Sequence, residues 1–249
     1  MATRAEILRE LKLAPEWRRR DRPESGDATA PMSASEPERP RTIVSAEDPG
    51  ARRARIAALD WEHFDADVAA CTACGLCRTR NKAVPGVGDR RAEWLFVGEG
   101  PGAEEDAKGE PFVGQAGKLL DSMLAALGMN RAEKVYIANV VKCRPPGNRT
   151  PEPGEAEACR PYLERQIALI RPKLIVALGK SAATLLLNTD ATIASLRGRR
   201  HRYGDTPLVV TYHPAYLLRN LPDKAKAWED LLFARRVASS GSPDAPPGA

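Results

Sequence analysis

A chain of 249 residues is long enough to bury one sizeable core and is no minimal disulfide-stapled peptide. Hydrophobic residues at 43%, charged residues at 29% and 21 prolines leave part of it outside a core. The excess of 38 Lys and Arg over 33 Asp and Glu gives a formal charge of +5, a mild bias toward polyanionic partners. The first twenty residues hold a short helical pattern, Arg4 to Leu13, stopped by Pro15. They lack the apolar stretch and small-residue cleavage site of a secretory signal. From Asp21 to Gly50 the chain is Pro, Ser, Glu, Ala and Arg without an aromatic residue, and is expected to be a disordered tether. A second helical stretch, about Ala51 to Ala70, carries Ile56, Leu59, Trp61 and Phe64 into a cysteine cluster.

Four short apolar runs follow: Glu93–Val97, Val135–Val141, Leu174–Leu178 and Leu208–Thr211. Such runs mark strands buried on both faces. Helical periods lie between them. Leu119, Leu120, Met123, Leu124 and Leu127 recur before Gly128, and Cys159, Leu163, Ile167 and Ile170 before Pro172. The alternation predicts a parallel sheet with helices on both faces, whose ligands bind at the carboxyl ends of the strands. The residues from 239 onward are Ser, Gly and Pro, an expected disordered tail. No run of eighteen apolar residues exists, so no transmembrane helix is predicted, and the expected setting is the cytoplasm.

The number of cysteines is five, which in a reducing compartment favours metal ligation or catalysis over a disulfide framework. Cys71, Cys74 and Cys77 form C-x2-C-x2-C, and Cys143 and Cys159 lie far downstream. Two thiolates from one loop and two from another can surround a metal. Zinc and a [4Fe–4S] cluster both accept four cysteines, and one of the five is then spare.

The loops at the strand ends carry the remaining chemistry. Gly98-Glu99-Gly100-Pro101-Gly102 lets a ligand approach the backbone but matches no phosphate-binding motif. Phe112 is a single aromatic before a helix start. Asn139 is an amide inside an apolar strand, where it must find partners or cost about 1–3 kcal/mol. Arg144 to Thr150 is a basic, proline-stiffened loop, and His213-Pro214-Ala215-Tyr216-Leu217-Leu218-Arg219 follows the last strand.

Taken in order, the cysteine pair, GEGPG, GEPFVGQAG, NVVKCRPPGNRTP and HPAYLLRN resemble the family 4 uracil-DNA glycosylases, the iron–sulfur branch of that superfamily. The likeness runs from about Val68 to Val237. It implies an α/β/α sandwich around a four-stranded parallel sheet, a glycosylase domain over 59–238, an N-terminal extension over 1–58 and a tail over 239–249. It implies a [4Fe–4S] cluster on Cys71, Cys74, Cys143 and Cys159, with Cys77 as the extra thiol. The cluster then holds the Arg144–Arg149 loop against DNA.

The same resemblance assigns roles. Phe112 stacks on an everted uracil, Asn139 reads its Watson–Crick edge, and Glu105 sits near C5, where it crowds a thymine methyl. His213 donates to O2 of the departing base, and backbone amides around Gly98 to Gly100 add to this. Family 1 enzymes place a water-activating Asp where Gly100 stands here, so the neighbouring Glu99 is expected to activate water or stabilise the oxocarbenium ion. Leu217, Leu218 and Arg219 are expected to enter the vacated stack. The expected partner is uracil-containing DNA, single- or double-stranded, engaged by a monomer without a membrane. A relative that cross-links to the abasic sugar uses a histidine in an inserted basic loop, and Arg144 to Thr150 has neither. A non-catalytic iron–sulfur DNA-binding protein leaves GEGPG and HPAYLLR unexplained, and a nucleotide-binding enzyme lacks its phosphate motif.

Overall fold

The computed structural model describes residues 48–239. The Arg4–Leu13 helix, nearly all of the expected tether and the tail beyond 239 lie outside them. The stretch predicted as one helix over 51–70 is two. Helix α1, Pro49–Ala58, starts at Asp48, whose carboxylate accepts from the Ala51 amide, with proline in its first turn. Leu59 is extended, and Asp60 caps α2, Trp61–Ala70, by accepting from the amides of Glu62 and His63. A strong N-cap residue in mid-pattern is what breaks the helix. Although α1 precedes residue 59, it belongs to the packed body: Ile56 is fully buried, and Arg52 donates to the Ala158 carbonyl at 2.9 Å.

The sheet has six strands in the order β1-β3-β2-β4-β6-β5. Its centre is the expected parallel set: β2 (Trp94–Gly98), β3 (Val135–Asn139), β4 (Leu174–Leu178) and β6 (Thr206–Thr211). Two antiparallel edge strands, β1 (Val87–Gly88) on β3 and β5 (His201–Tyr203) on β6, make the whole sheet mixed. Between the strands run α3 (Ala103–Lys108), α4 (Gln115–Ala126), α5 (Pro153–Ile170), α6 (Lys180–Leu187) and α7 (Ile193–Leu196); after the last strand come α8 (Pro214–Leu217) and α9 (Asp223–Ser239), which closes the described chain.

Side chains alternate across each strand. Leu95, Val97, Ile175 and Val210 join one core with Ile56, Phe64 and Tyr162 of α1, α2 and α5. Phe96, Ile137, Val176 and Val209 join the other with Leu120 and Leu124 of α4 and Leu231 of α9. The result is an α/β/α sandwich. Its register sets up the site: Gly98 pairs with Asn139, and Leu178 with Thr211, so four neighbouring strands end along one edge.

Candidate active site and cysteine centre

A cavity of about 460 Å³ opens at that edge. Asn139, the last residue of β3, is 2% exposed, and its Oδ1 has no hydrogen-bond partner among the described residues. An unsatisfied buried acceptor costs about 1–3 kcal/mol, so a donor on a bound molecule would remove a standing penalty. Gly98 makes the approach possible. A Cβ there would lie 2.4 Å from Asn139 Oδ1 and 2.7 Å from Phe112 Cζ.

Phe112 occupies the left-handed region at φ 54°, unusual for a residue with a side chain. Arg131 holds it there, donating to the carbonyls of Pro111 and Phe112 while its Nε pairs with Asp121 at 2.5 Å. Glu105 clamps the same loop: Oε1 accepts from the amides of Val113 and Gly114 at 3.0 and 3.1 Å, and Oε2 from Gly102 at 3.1 Å. The Phe112 ring faces the His213 ring, centroids 5.4 Å apart and planes 30° apart.

His213 is the N-cap of α8, and its Nδ1 accepts from the Ala215 amide at 3.1 Å. In the neutral ring the proton is therefore on Nε2. Burial lowers its pKa from 6.5, the nearby Glu99 opposes that shift and Arg219 adds to it. Glu99 also lines the cavity, and its Oε2 accepts from the Ser181 hydroxyl at 2.5 Å. Ser181 stands in the first turn of α6, after β4, a strand end that the sequence reading passed over.

The remaining expected residues divide. Gly100, Glu105, Arg149 and Arg219 line the cavity together with Pro145, Asn148 and Tyr216, which sequence reasoning did not single out for this role. Arg149 is committed to Glu155 by two bonds of 2.8 and 2.6 Å. Arg144 does not line the cavity, and its Nε donates to Asn148 Oδ1 at 2.7 Å. Leu217, expected to enter the vacated stack, is 1% exposed and packs inward here, whereas Leu218 at 41% and Leu221 at 60% are open to solvent. The helical turn of α8 rotates one leucine in and the next out.

On the other side of the β3 exit, all five cysteines line one small cavity between α2, the turn at Gly75–Arg78, the β3 exit and α5. Three donors point at sulfur: Arg52 Nη2 at Cys71 (3.4 Å), Arg80 Nη1 at Cys143 (2.9 Å) and the Lys142 amide at Cys159 (3.3 Å). Burial pushes the free Cys159 thiol up to about 12 and raises those of Cys74 and Cys143. Buried sulfur surrounded by donors is a setting for thiolates bound to a cationic group. No three cysteine sulfurs lie within 4.8 Å of one another. Lys142, fully buried between this centre and the pocket, has its pKa lowered to about 8 by burial.

A doubly covered mixed sheet whose parallel centre brings an aromatic ring, a buried amide and a histidine to one cavity at its carboxyl edge is a ligand-binding α/β architecture. Residues 85–232 match the model of the uracil DNA glycosylase superfamily. The chain is 49% identical over 160 residues to a type-4 uracil-DNA glycosylase of Archaeoglobus fulgidus, covering 61% of this chain and 80% of that one. It is 49% identical over 152 residues to that of Thermotoga maritima (60% and 79%) and 45% over 186 residues to that of Sulfurisphaera tokodaii (71% and 84%). The chain belongs to the uracil DNA glycosylase superfamily, among its type-4 members.

Proposed function

We propose that the protein is a DNA repair enzyme that flips uracil out of DNA and hydrolyses its N-glycosidic bond, releasing the free base and leaving an abasic site. The observation that carries this is Asn139: a buried amide whose carbonyl oxygen lacks a partner, beside Phe112 and close to His213. Uracil supplies a donor at N3 for that oxygen and an acceptor at O4 for the amide nitrogen. Cytosine reverses both, leaving buried groups mismatched, and a site of this kind discriminates strongly. Glu105, fixed on three amides, is the rigid wall against which a 5-methyl group collides.

Flipping costs a few kcal/mol, least at a mispair, and stacking on Phe112 returns part of it. As the C1′–N1 bond breaks, the sugar gains oxocarbenium character and the base leaves as an anion spread over N1 and O2. His213, with Nδ1 taken by Ala215, presents Nε2–H to O2 and stabilises charge that develops only in the transition state. Backbone amides of Gly98 to Gly100 add to it. Ser181 occupies Oε2 of Glu99, leaving Oε1 to orient water toward C1′ and to face the cationic sugar. Water adds at C1′, and its proton ends on the medium or the departing base.

Cys71, Cys74, Cys143 and Cys159 would hold a [4Fe–4S] cluster, with Cys77 as the fifth thiol on the same cavity. Bound there, the cluster supplies a covalent cross-link between the α2 exit, the β3 exit and α5. At the mouth of the pocket, Arg219 and exposed Leu218 face the DNA, with Arg144 and Arg149 in the neighbouring loop. Among the described residues no helix is long and apolar enough to cross a membrane, and we take the enzyme to act as a cytoplasmic monomer.

The decisive experiment is incubation of the purified protein with uracil-containing single- and double-stranded oligonucleotides, followed by alkaline cleavage. Strand breaks at uracil are expected, and their absence would overturn the reading. A heat-stable protein–DNA adduct instead would identify a cross-linker. Brown protein absorbing near ~400 nm is expected from thiolate-bound iron; Cys143→Ala should abolish the colour and Cys77→Ala should keep it.

A further inference from the structure

We propose that Lys142 is a positioning residue that ties the cysteine centre to the base-reading amide of Asn139. The inference rests on the reading above for the nature of the bound base and of the cysteine-held cluster. Only Val140 and Val141 separate Asn139 from Lys142, and Cys143 follows at once. Lys142 is 1% exposed. Its side chain turns back along the strand exit, and Nζ donates to the Asn139 carbonyl at 2.8 Å and to Gln166 Oε1 at 2.5 Å. Its backbone amide donates to Cys159 Sγ at 3.3 Å. A single residue thus bonds a cluster cysteine at one end and the residue that faces uracil at the other.

The same segment anchors the neighbouring strand end. The Val140 amide donates to the Gly98 carbonyl at 2.9 Å and the Val141 amide to Glu99 at 3.2 Å. A shift of residues 139–142 therefore moves the Asn139 amide and the Gly98–Glu99 backbone together. Gln166 is itself held, donating to Pro85 O at 2.8 Å and to the Tyr136 hydroxyl at 3.3 Å, so the ammonium is bonded to a fixed frame. Neither acceptor of the ammonium is charged, while the backbone amide of the same residue is bonded to Cys159, whose sulfur is anionic when it binds metal. The arrangement links occupancy of the cysteine centre to the place of Asn139, although no cysteine enters the pocket.

Lys142→Met keeps the volume and removes the donor. The test combines absorbance near ~400 nm, amide hydrogen exchange of residues 139–142 with Val176 in β4 as internal reference, and uracil excision. Lys142→Met is expected to keep the cluster absorbance, to exchange the Val140 and Val141 amides about tenfold faster than wild type relative to Val176, and to lose about tenfold in kcat/KM. Chelation of the cluster from the wild-type protein should speed the same amides, and chelation from Lys142→Met should add little. Wild-type exchange in Lys142→Met would overturn the proposal, as would an equal acceleration by chelation in both proteins. Should Lys142→Met fail to fold, Gln166→Leu leaves the ammonium with one acceptor and must speed the same amides; unchanged exchange there also overturns it. If the wild-type protein excises no uracil, the functional reading falls, while the exchange measurements still decide whether Lys142 links the two sites.

Discussion

A histidine can donate from one nitrogen reliably only if its other nitrogen is already committed, and the Ala215 amide makes that commitment for His213. Burial favours the neutral ring, so the folded pKa lies below 6.5. The sign follows directly: below pH 6.5 the unfolded chain takes up the proton more readily than the folded one, so stability falls on acidification and is unaffected above that value. Ring ¹⁵N shifts should therefore report the Nε2–H tautomer at neutral pH and a midpoint below 6.5; an Nδ1–H ring would contradict the donor geometry, and a higher midpoint the dominance of burial. For Glu99 the committing partner is Ser181, 82 positions along the chain. Ser181→Ala should lower kcat about tenfold with little change in KM, the size of a lost hydrogen bond to a charged group. Ser181→Thr should restore it, and equal loss in both variants would show a packing effect. Asn139 and His213 were legible from sequence because an amide in an apolar strand and a histidine just after the last strand are odd for their positions. Ser181 was not, since serine in a helix's first turn is ordinary, and its meaning comes only from register between β2 and β4. The two leucines after Tyr216 were likewise indistinguishable until the turn of α8 was known.

Among the elements, the four central strands were readable because burial on both faces writes a continuous apolar run. The match was good at β4 and drifted elsewhere: the run Val135–Val141 leaves the sheet after Asn139, where Val140 and Val141 bond to the Gly98 and Glu99 carbonyls past the end of the strand. The edge strands carry no such run. Val87–Gly88 is two residues long, and His201–Tyr203 is basic and half solvated, as exposed edges usually are. Helix α1 was legible as the first part of the helical stretch over 51–70, but its packing was not, because Arg-rich sequence next to a proline-rich tether reads as an extension of the domain. One residue decides otherwise: Ile56 is fully buried against the same core as Phe64 and Tyr162. Ile56→Ala should cost about 2–4 kcal/mol by cavity formation. The readout is chemical denaturation of the cluster-loaded protein, and a loss under about 0.5 kcal/mol, the range of surface changes, would place α1 outside the cooperative unit.

At the scale of the molecule, a charge of +5 is modest for a DNA-binding enzyme, so the placement of individual cations matters more than their sum. Many arginines are already paired within the fold: Arg53 with Glu164, Arg131 with Asp121, Arg149 with Glu155 and Arg197 with Asp230. Arg219 differs, being exposed at the cavity mouth beside solvent-facing Leu218. A cation that replaces a counterion at a phosphate adds about 0.9 to the logarithmic salt dependence of binding to duplex, and a cation shared with a carboxylate adds less. Fluorescence anisotropy on a duplex with a non-cleavable uridine analogue, titrated over salt, separates the two. Arg219→Ala should reduce the slope by about 1, whereas Arg149→Ala should leave the slope nearly intact, because that guanidinium is already bonded to Glu155. Equal slope changes for both would mean that the Arg149 pair opens when DNA arrives, and that the basic loop after β3 reads phosphate after all.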